Sequence, residues 1–209
     1  MEKFVHLKAI AAPLLRVNID TDVIIPSREM KGVSKTGLSV GMFANWRYSD
    51  VPQRVANPEF VLNQAPYNKA QILLSGDNFG CGSSREHAVW AMKEWGFKAV
   101  IAPSFGAIYY GNCVRNGILP VVLPDDAVRA MAAWVEQSPA VNLVEIDLPS
   151  QKVHAAGAEH SFKIGEADKD MLLEGLDPIG VTLKKDAAIQ AFEAKDRAQR
   201  PWVYISGPT

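Results

Sequence analysis

From Gly76 to His87 the chain reads Gly-Asp-Asn-Phe-Gly-Cys-Gly-Ser-Ser-Arg-Glu-His, a glycine-rich turn that runs into two serines and an arginine. Glycines let backbone N–H groups approach a ligand closely, and a helix N-terminus adds unsatisfied donors and positive potential. Arg85 adds a planar fork that matches a carboxylate. Ser83 and Ser84 put two hydroxyls beside it. The combination is an anion site. Residues 76–85 lack the lysine of a Walker loop, and their glycines do not fit the dinucleotide fingerprint, so a carboxylate suits the site better than a pyrophosphate. The same residues have a plainer reading. Ser83 and Glu86 fit a capping box, with Ser83 as the N-cap. Arg85 then reads as a solvated charge and His87 as a packed helix residue rather than a ligand. Cys81 reads either as a nucleophile near a helix start or as a small buried thiol, and no second feature supports the nucleophile.

Such a loop needs a strand to deliver it and a helix to follow. Lys69–Leu74 supplies an apolar strand, and Ser83–Trp95 has helical patterning that Gly96 stops. Ala99–Ala102 is a second strand, Ser104–Arg115 a second helix ended by Asn116-Gly117, and Ile118–Leu123 a third strand interrupted by Pro120. Strand, helix, strand, helix, strand predicts a right-handed parallel α/β unit, and ligands collect beyond the C-terminal ends of such strands. Residues 1–68 are broken by five prolines; Leu7–Leu15 and Val23–Ile25 look like strands, and the stretch from Arg28 to Asp50 reads as a loop with a short helix. Residues 125–209 look like support: a helix at Asp125–Gln137, strands near 141–148, 151–155 and 160–164, and helices at 166–174 and 186–197. The whole reads as one domain, 1–209, with its core at 69–124.

Composition narrows the function classes. The chain has 209 residues, 48% apolar and 22% charged, with a formal net charge of −1. That balance gives no basic surface for nucleic acid, and no apolar run approaches the roughly 18 residues of a membrane span. Two cysteines, Cys81 and Cys113, make neither a disulfide framework nor a four-thiolate metal site, so no metal is expected on this chain and a reducing cytoplasm is the expected compartment.

Four ordered motifs carry a resemblance: Asn18-Ile-Asp20-Thr21-Asp22-Val-Ile-Ile-Pro26, Gly76-Asp-Asn-Phe-Gly-Cys-Gly82 with Ser83-Ser84-Arg85-Glu-His-Ala88, Ser104-Phe-Gly106, and Asn112-Cys-Val-Arg-Asn-Gly-Ile-Leu-Pro120. Over about residues 5–205 the chain resembles the swivelling domain of the aconitase superfamily, in the small-subunit branch of the isopropylmalate dehydratases. The resemblance implies a swivelling β/β/α domain with a parallel α/β core. It implies an enzyme active only with a separate large subunit, which carries a [4Fe–4S] cluster; this chain would bind no cofactor. The implied reaction dehydrates 2-isopropylmalate to an alkene diacid and rehydrates it to 3-isopropylmalate, a step of leucine biosynthesis. Ser83 takes the role of base and Asp22 that of an active-site acid, with Asp22 better suited to hold a neighbouring catalytic group than to transfer a proton. Ser84 and Arg85 contact the carboxylates of a small dicarboxylate substrate. Asp20 and Thr21 read either as substrate contacts or as a simple turn.

Substrate choice in this branch is expected in the loop after Pro26. Arg28-Glu29-Met30-Lys31 stands where an aromatic-leucine-lysine element is usual, and Met30 or Val33 offers an apolar wall for an isopropyl group. Arg28 and Lys31 also fit an ordinary surface loop. Homoaconitate and methyl-substituted malates are the alternative substrates. Two other classes compete: an RNA-binding regulatory relative, which the neutral charge argues against, and a self-sufficient serine or cysteine hydrolase, for which His87 has no visible orienting acid.

Overall fold

The computed structural model describes residues 1–30, 34–82 and 85–204. The apolar run at 7–15 forms two strands rather than one. Strand β1 (His6–Ala9) alternates exposed and buried residues, whereas β2 (Ala11–Leu14) is apolar throughout. Each joins the sheet its pattern suits: β1 the edge of a half-exposed antiparallel sheet, β2 a parallel sheet covered on both faces. The next apolar piece, expected as a strand at 23–25, is instead a single helical turn, α1 (Thr21–Ile24). Asp20 caps it by accepting the Val23 N–H at 2.7 Å, and that local bond outweighs the β preference of Val and Ile.

The segment 27–47 contains 3-10 turns at Ser27–Glu29 and Ser39–Gly41 and the short helix α2 (Ala44–Arg47). The two-stranded ribbon β3 (Tyr48–Asp50) and β4 (Val55–Ala56) follows. The predicted parallel unit then runs β5 (Ile72–Ser75), α3 (His87–Trp95), β6 (Ala99–Ala102), α4 (Ala107–Asn116) and β7 (Leu119–Val122). Its sheet has the order β2-β5-β6-β7, with every neighbouring pair parallel. Strands β5 and β6 are buried at all positions. The two strand prolines, Pro13 and Pro120, lie in the edge strands β2 and β7, where a missing ladder donor is tolerated. The strand at 118–123 therefore continues through Pro120 rather than breaking there.

Helix α5 (Asp125–Gln137) packs its apolar face on β2, β5 and β6. Strands β8 (Val144–Asp147), β9 (Lys152–Ala155) and β10 (Ala158–Ser161) complete the antiparallel sheet in the order β1-β8-β9-β10, and α6 (Glu166–Glu174) follows. Both sheets contribute to one continuous apolar core that reaches from Phe4 to Leu172.

Contacts divide the chain into two compact units, Met1–Gly175 and Leu176–Thr209. The second unit contains α7 (Pro178–Leu183), capped by Asp177, and α8 (Asp186–Gln199). Within it, Asp196 accepts from Arg200 Nε at 2.7 Å and from the Tyr204 hydroxyl at 2.8 Å. Among the described residues, no helix is long and apolar enough to cross a membrane.

Candidate active site

Three loops leave the C-terminal ends of the parallel strands β2, β5 and β6, and backbone hydrogen bonds weave them together. The Asn18 N–H donates to the Asp77 carbonyl at 2.9 Å, Gly80 to Ile19 at 2.7 Å, and Thr21 to Cys81 at 3.0 Å. On the other side, Phe79 donates to Ser104 at 3.0 Å and Gly106 to Phe79 at 2.9 Å. Side chains add a polar relay that sequence reasoning had given no role. Asn78 Nδ2 donates to Asn18 Oδ1 at 2.8 Å, and Ser104 Oγ accepts the Asn78 N–H at 2.9 Å while donating to the Asp77 carboxylate. These residues stood inside the recognised motifs, but their pairing across 26 to 60 positions is a tertiary fact.

Gly80 is where this weave admits only glycine. Its φ is +71°, and an added Cβ would lie 2.2 Å from the Tyr109 ring. Phe79, wholly buried, packs edge-on against both Phe105 and Tyr109. The turn is thus fixed from beneath by aromatic packing and from both flanks by backbone bonds.

On this frame Asp20, Thr21, Asp22 and Arg85 come together. Asp20 is the helix cap described above and Thr21 is buried, so both have structural duties. Asp22 lies in the first turn of α1, and its carboxylate accepts from Arg85 Nη1 across 63 residues of sequence. The two side chains are 56% and 36% exposed. A pair this open contributes at most about 1 kcal/mol to stability. Its consequence is orientation: Asp22 holds a guanidinium whose remaining N–H donors have the geometry to take a carboxylate. Ser83, Ser84 and Val33 lie outside the described residues.

Of the expected capping box, only Glu86 lies among the described residues. Helix α3 starts at His87, with Glu86 itself at the N-cap position. The Glu86 carboxylate accepts instead from Asn116 Nδ2 at 2.6 Å, and Asn116 Oδ1 accepts from Trp90 Nε1 at 3.1 Å. That partner lies 30 residues away in sequence. The His87 ring packs on Trp90, with centroids 4.7 Å apart, as the packed-helix reading holds. The second helix likewise begins later than the sequence suggests, at Ala107, because Ser104 is engaged with Asp77 and Asn78.

Neither thiol is poised for nucleophilic attack. Burial, then the nearby Asp20 carboxylate, pushes the Cys81 thiol up. Cys113 is wholly buried, and that burial pushes its thiol far up. Arg28 stands apart from the Asp22–Arg85 pair in its contacts: it donates to Asn45 Oδ1 and lies 3.6 Å from Glu29. Met30 is half-buried against the core.

This architecture has known counterparts. The family model described as the aconitase C-terminal domain matches residues 1–126. The model for the C-terminal domain of the 3-isopropylmalate dehydratase small subunit matches residues 179–205. The chain is 56% identical over 208 residues to the 3-isopropylmalate dehydratase small subunit of Cupriavidus necator, covering 99% of this chain and 100% of that one. It is 47% identical over 204 residues to the small subunit of Roseobacter denitrificans, covering 97% and 100%. A crystal structure of 3-isopropylmalate dehydratase from Methanocaldococcus jannaschii superimposes with a TM-score of 0.61 at 26% identity, over 90% of this chain and 99% of that one. By fold the chain is an aconitase C-terminal-type domain. It belongs to the family of 3-isopropylmalate dehydratase small subunits.

Proposed function

We propose that the chain is the small subunit of a heteromeric hydro-lyase that isomerises 2-isopropylmalate to 3-isopropylmalate. The observation that carries the reading is the Arg85 guanidinium held by Asp22 at the junction of the three strand-end loops. It is a fixed carboxylate receptor at the edge where parallel sheets bind ligands. The near full-length identity to small subunits supports the assignment of substrate class and of a large-subunit partner.

In this reading Arg85 and Ser84 bind a substrate carboxylate. Ser83, deprotonated beside the positive charge of Arg85, accepts the proton from the carbon beside that carboxylate. The electron pair left on that carbon forms the alkene as hydroxide departs from its neighbour. A hydroxide then adds to the carbon that lost the proton, and Ser83 returns that proton to the carbon that lost the hydroxyl, so the two groups exchange positions with no net gain or loss of water. The electron-rich carboxylate formed as the proton leaves lies against the guanidinium, which favours the transition state over the ground state. Asp22 holds the guanidinium and transfers no proton itself.

The reading assigns a [4Fe–4S] cluster to the large subunit. The residues of this chain do not fit as its ligands. The chain has two cysteines, fewer than the three thiolates such a cluster takes, and Cys113 is sealed in the core. No group of three or more His, Cys, Asp or Glu among the described residues could hold a metal ion.

The test is anaerobic mixing of this chain with a cluster-loaded large subunit, following alkene absorbance with 2-isopropylmalate. Turnover that needs both chains is expected. A stable complex with an intact cluster that ignores 2-isopropylmalate but turns over a methyl-substituted malate would overturn the substrate assignment. Ester hydrolysis by the isolated chain would overturn the hydro-lyase itself.

A further inference from the structure

The segment that carries the expected substrate loop is rooted on the helix that carries Asp22. The Phe43 N–H donates to the Ile24 carbonyl at 2.7 Å, so residues 25–42 leave the C-terminal end of α1 and return to it. The outgoing limb is fixed by Glu29, whose nearly buried carboxylate pairs with Arg54. The returning limb is fixed from α3. Glu94 accepts the Gly37 N–H through Oε1 at 2.6 Å and the Ser39 N–H through Oε2 at 2.7 Å. The Lys35 ammonium lies 4.8 Å from the centre of the Trp90 ring. Glu86, Trp90 and Glu94 are spaced four residues apart and form one stripe along α3. This stripe starts beside Arg85 and ends on the limb.

We infer that Glu94 is a positioning residue that sets discrimination of the substrate's side chain, by holding the limb 35–39 in fixed register with the helix that follows Arg85. The inference rests on the hydro-lyase reading. Both carboxylate oxygens are used, on two amides of an irregular segment that cannot satisfy them through a ladder. A charged acceptor gripping successive amides is a stiff anchor. The limb does not depend on it for folding, because Arg47 Nη1 separately donates to the Ser39 carbonyl at 2.7 Å and Leu38 is buried. Loss of Glu94 therefore loosens the limb's placement without dissolving it.

The experiment uses the assembled enzyme with Glu94→Gln, Glu94→Ala and Glu94→Asp, and 2-isopropylmalate and 2-methylmalate as substrates. Wild-type turnover of 2-isopropylmalate is measured first, and its absence would overturn the underlying reading rather than this one. With the wild type active, Glu94→Ala is expected to raise KM for 2-isopropylmalate about tenfold with kcat within about twofold, and to narrow the preference over 2-methylmalate by a similar factor. Glu94→Gln, which keeps the size and one acceptor, gives a smaller shift, and Glu94→Asp restores part of the preference. An unchanged preference in both Gln and Ala variants would overturn the inference. So would an equal loss of kcat on both substrates, which marks a merely structural role.

Discussion

Replacing Asp22 by Asn separates orientation from stability at the centre of the site. The Asp22 and Arg85 side chains are 56% and 36% exposed, so solvent screens their attraction. An exposed pair contributes about 0–1 kcal/mol, and less as salt rises. Asp22→Asn keeps the shape, and the cap of α1 comes from Asp20, not Asp22. Urea unfolding of the variant is thus expected to shift by less than about 1 kcal/mol, with an unchanged slope. Catalysis responds differently. The neutral amide keeps one acceptor but loses the charge assistance that fixes the guanidinium, and a misplacement of about 1 Å in a positioning group costs on the order of 10²-fold in rate. That is about 2.7 kcal/mol of transition-state stabilisation, several times the stability effect. The assay is kcat/KM of the reconstituted enzyme, beside the unfolding curve of the chain, at low and high salt. A variant that loses more than about 2 kcal/mol of stability would show that the pair is structural. A folded variant with wild-type kcat/KM would show that Arg85 needs no orienting partner.

Ser83→Ala is expected to abolish turnover at a cost to unfolding of no more than about 1 kcal/mol; wild-type-like turnover would refute the base assignment. Gly80→Ala meets both a φ of +71° and the Tyr109 ring at 2.2 Å, so a loss of about 3 kcal/mol or more is expected in denaturant titration, and a loss below about 1 kcal/mol would show that the turn can move. Acid should also loosen the limb at 37–39. Burial raises the Glu94 carboxyl, but the N–H groups of Gly37, Ser39 and Leu38 outweigh it and hold the group below the usual glutamate range. A depressed folded value gives stability that is full above the unfolded pKa and lost as the pH falls through the folded one. Glu94→Gln should therefore flatten the stability profile between about pH 5 and pH 3, and a slope identical to the wild type would refute the anchor.

The parallel core and α5 were legible because their signals are local. Uninterrupted apolar strands can only be covered on both faces, and Asp125–Gln137 has acidic residues in its first turn and a single apolar face. Where reading along the chain fails, a contact distant in sequence decides. Ile10 alone separates β1 from β2, and the change of sheet depends on β8 being available to pair with β1. Glu86 reads as part of a cap, but Asn116, brought close by the packing of α4 on α3, donates to its carboxylate. Arg28, a candidate for the substrate by its place in the loop, donates to Asn45, a contact the sequence does not signal. The site followed the same division. Each motif could be found separately, but the pairing of Asp22 with Arg85 depends on the turn of α1, which reads as a strand in the sequence. A strand there would alternate its side chains across two faces. One helical turn capped by Asp20 instead turns Thr21 into the core and leaves Asp22 exposed to meet the arginine. The short cap is thus what brings the Asp22 carboxylate to Arg85, and in the proposed reading Asp20 serves the site by building that turn.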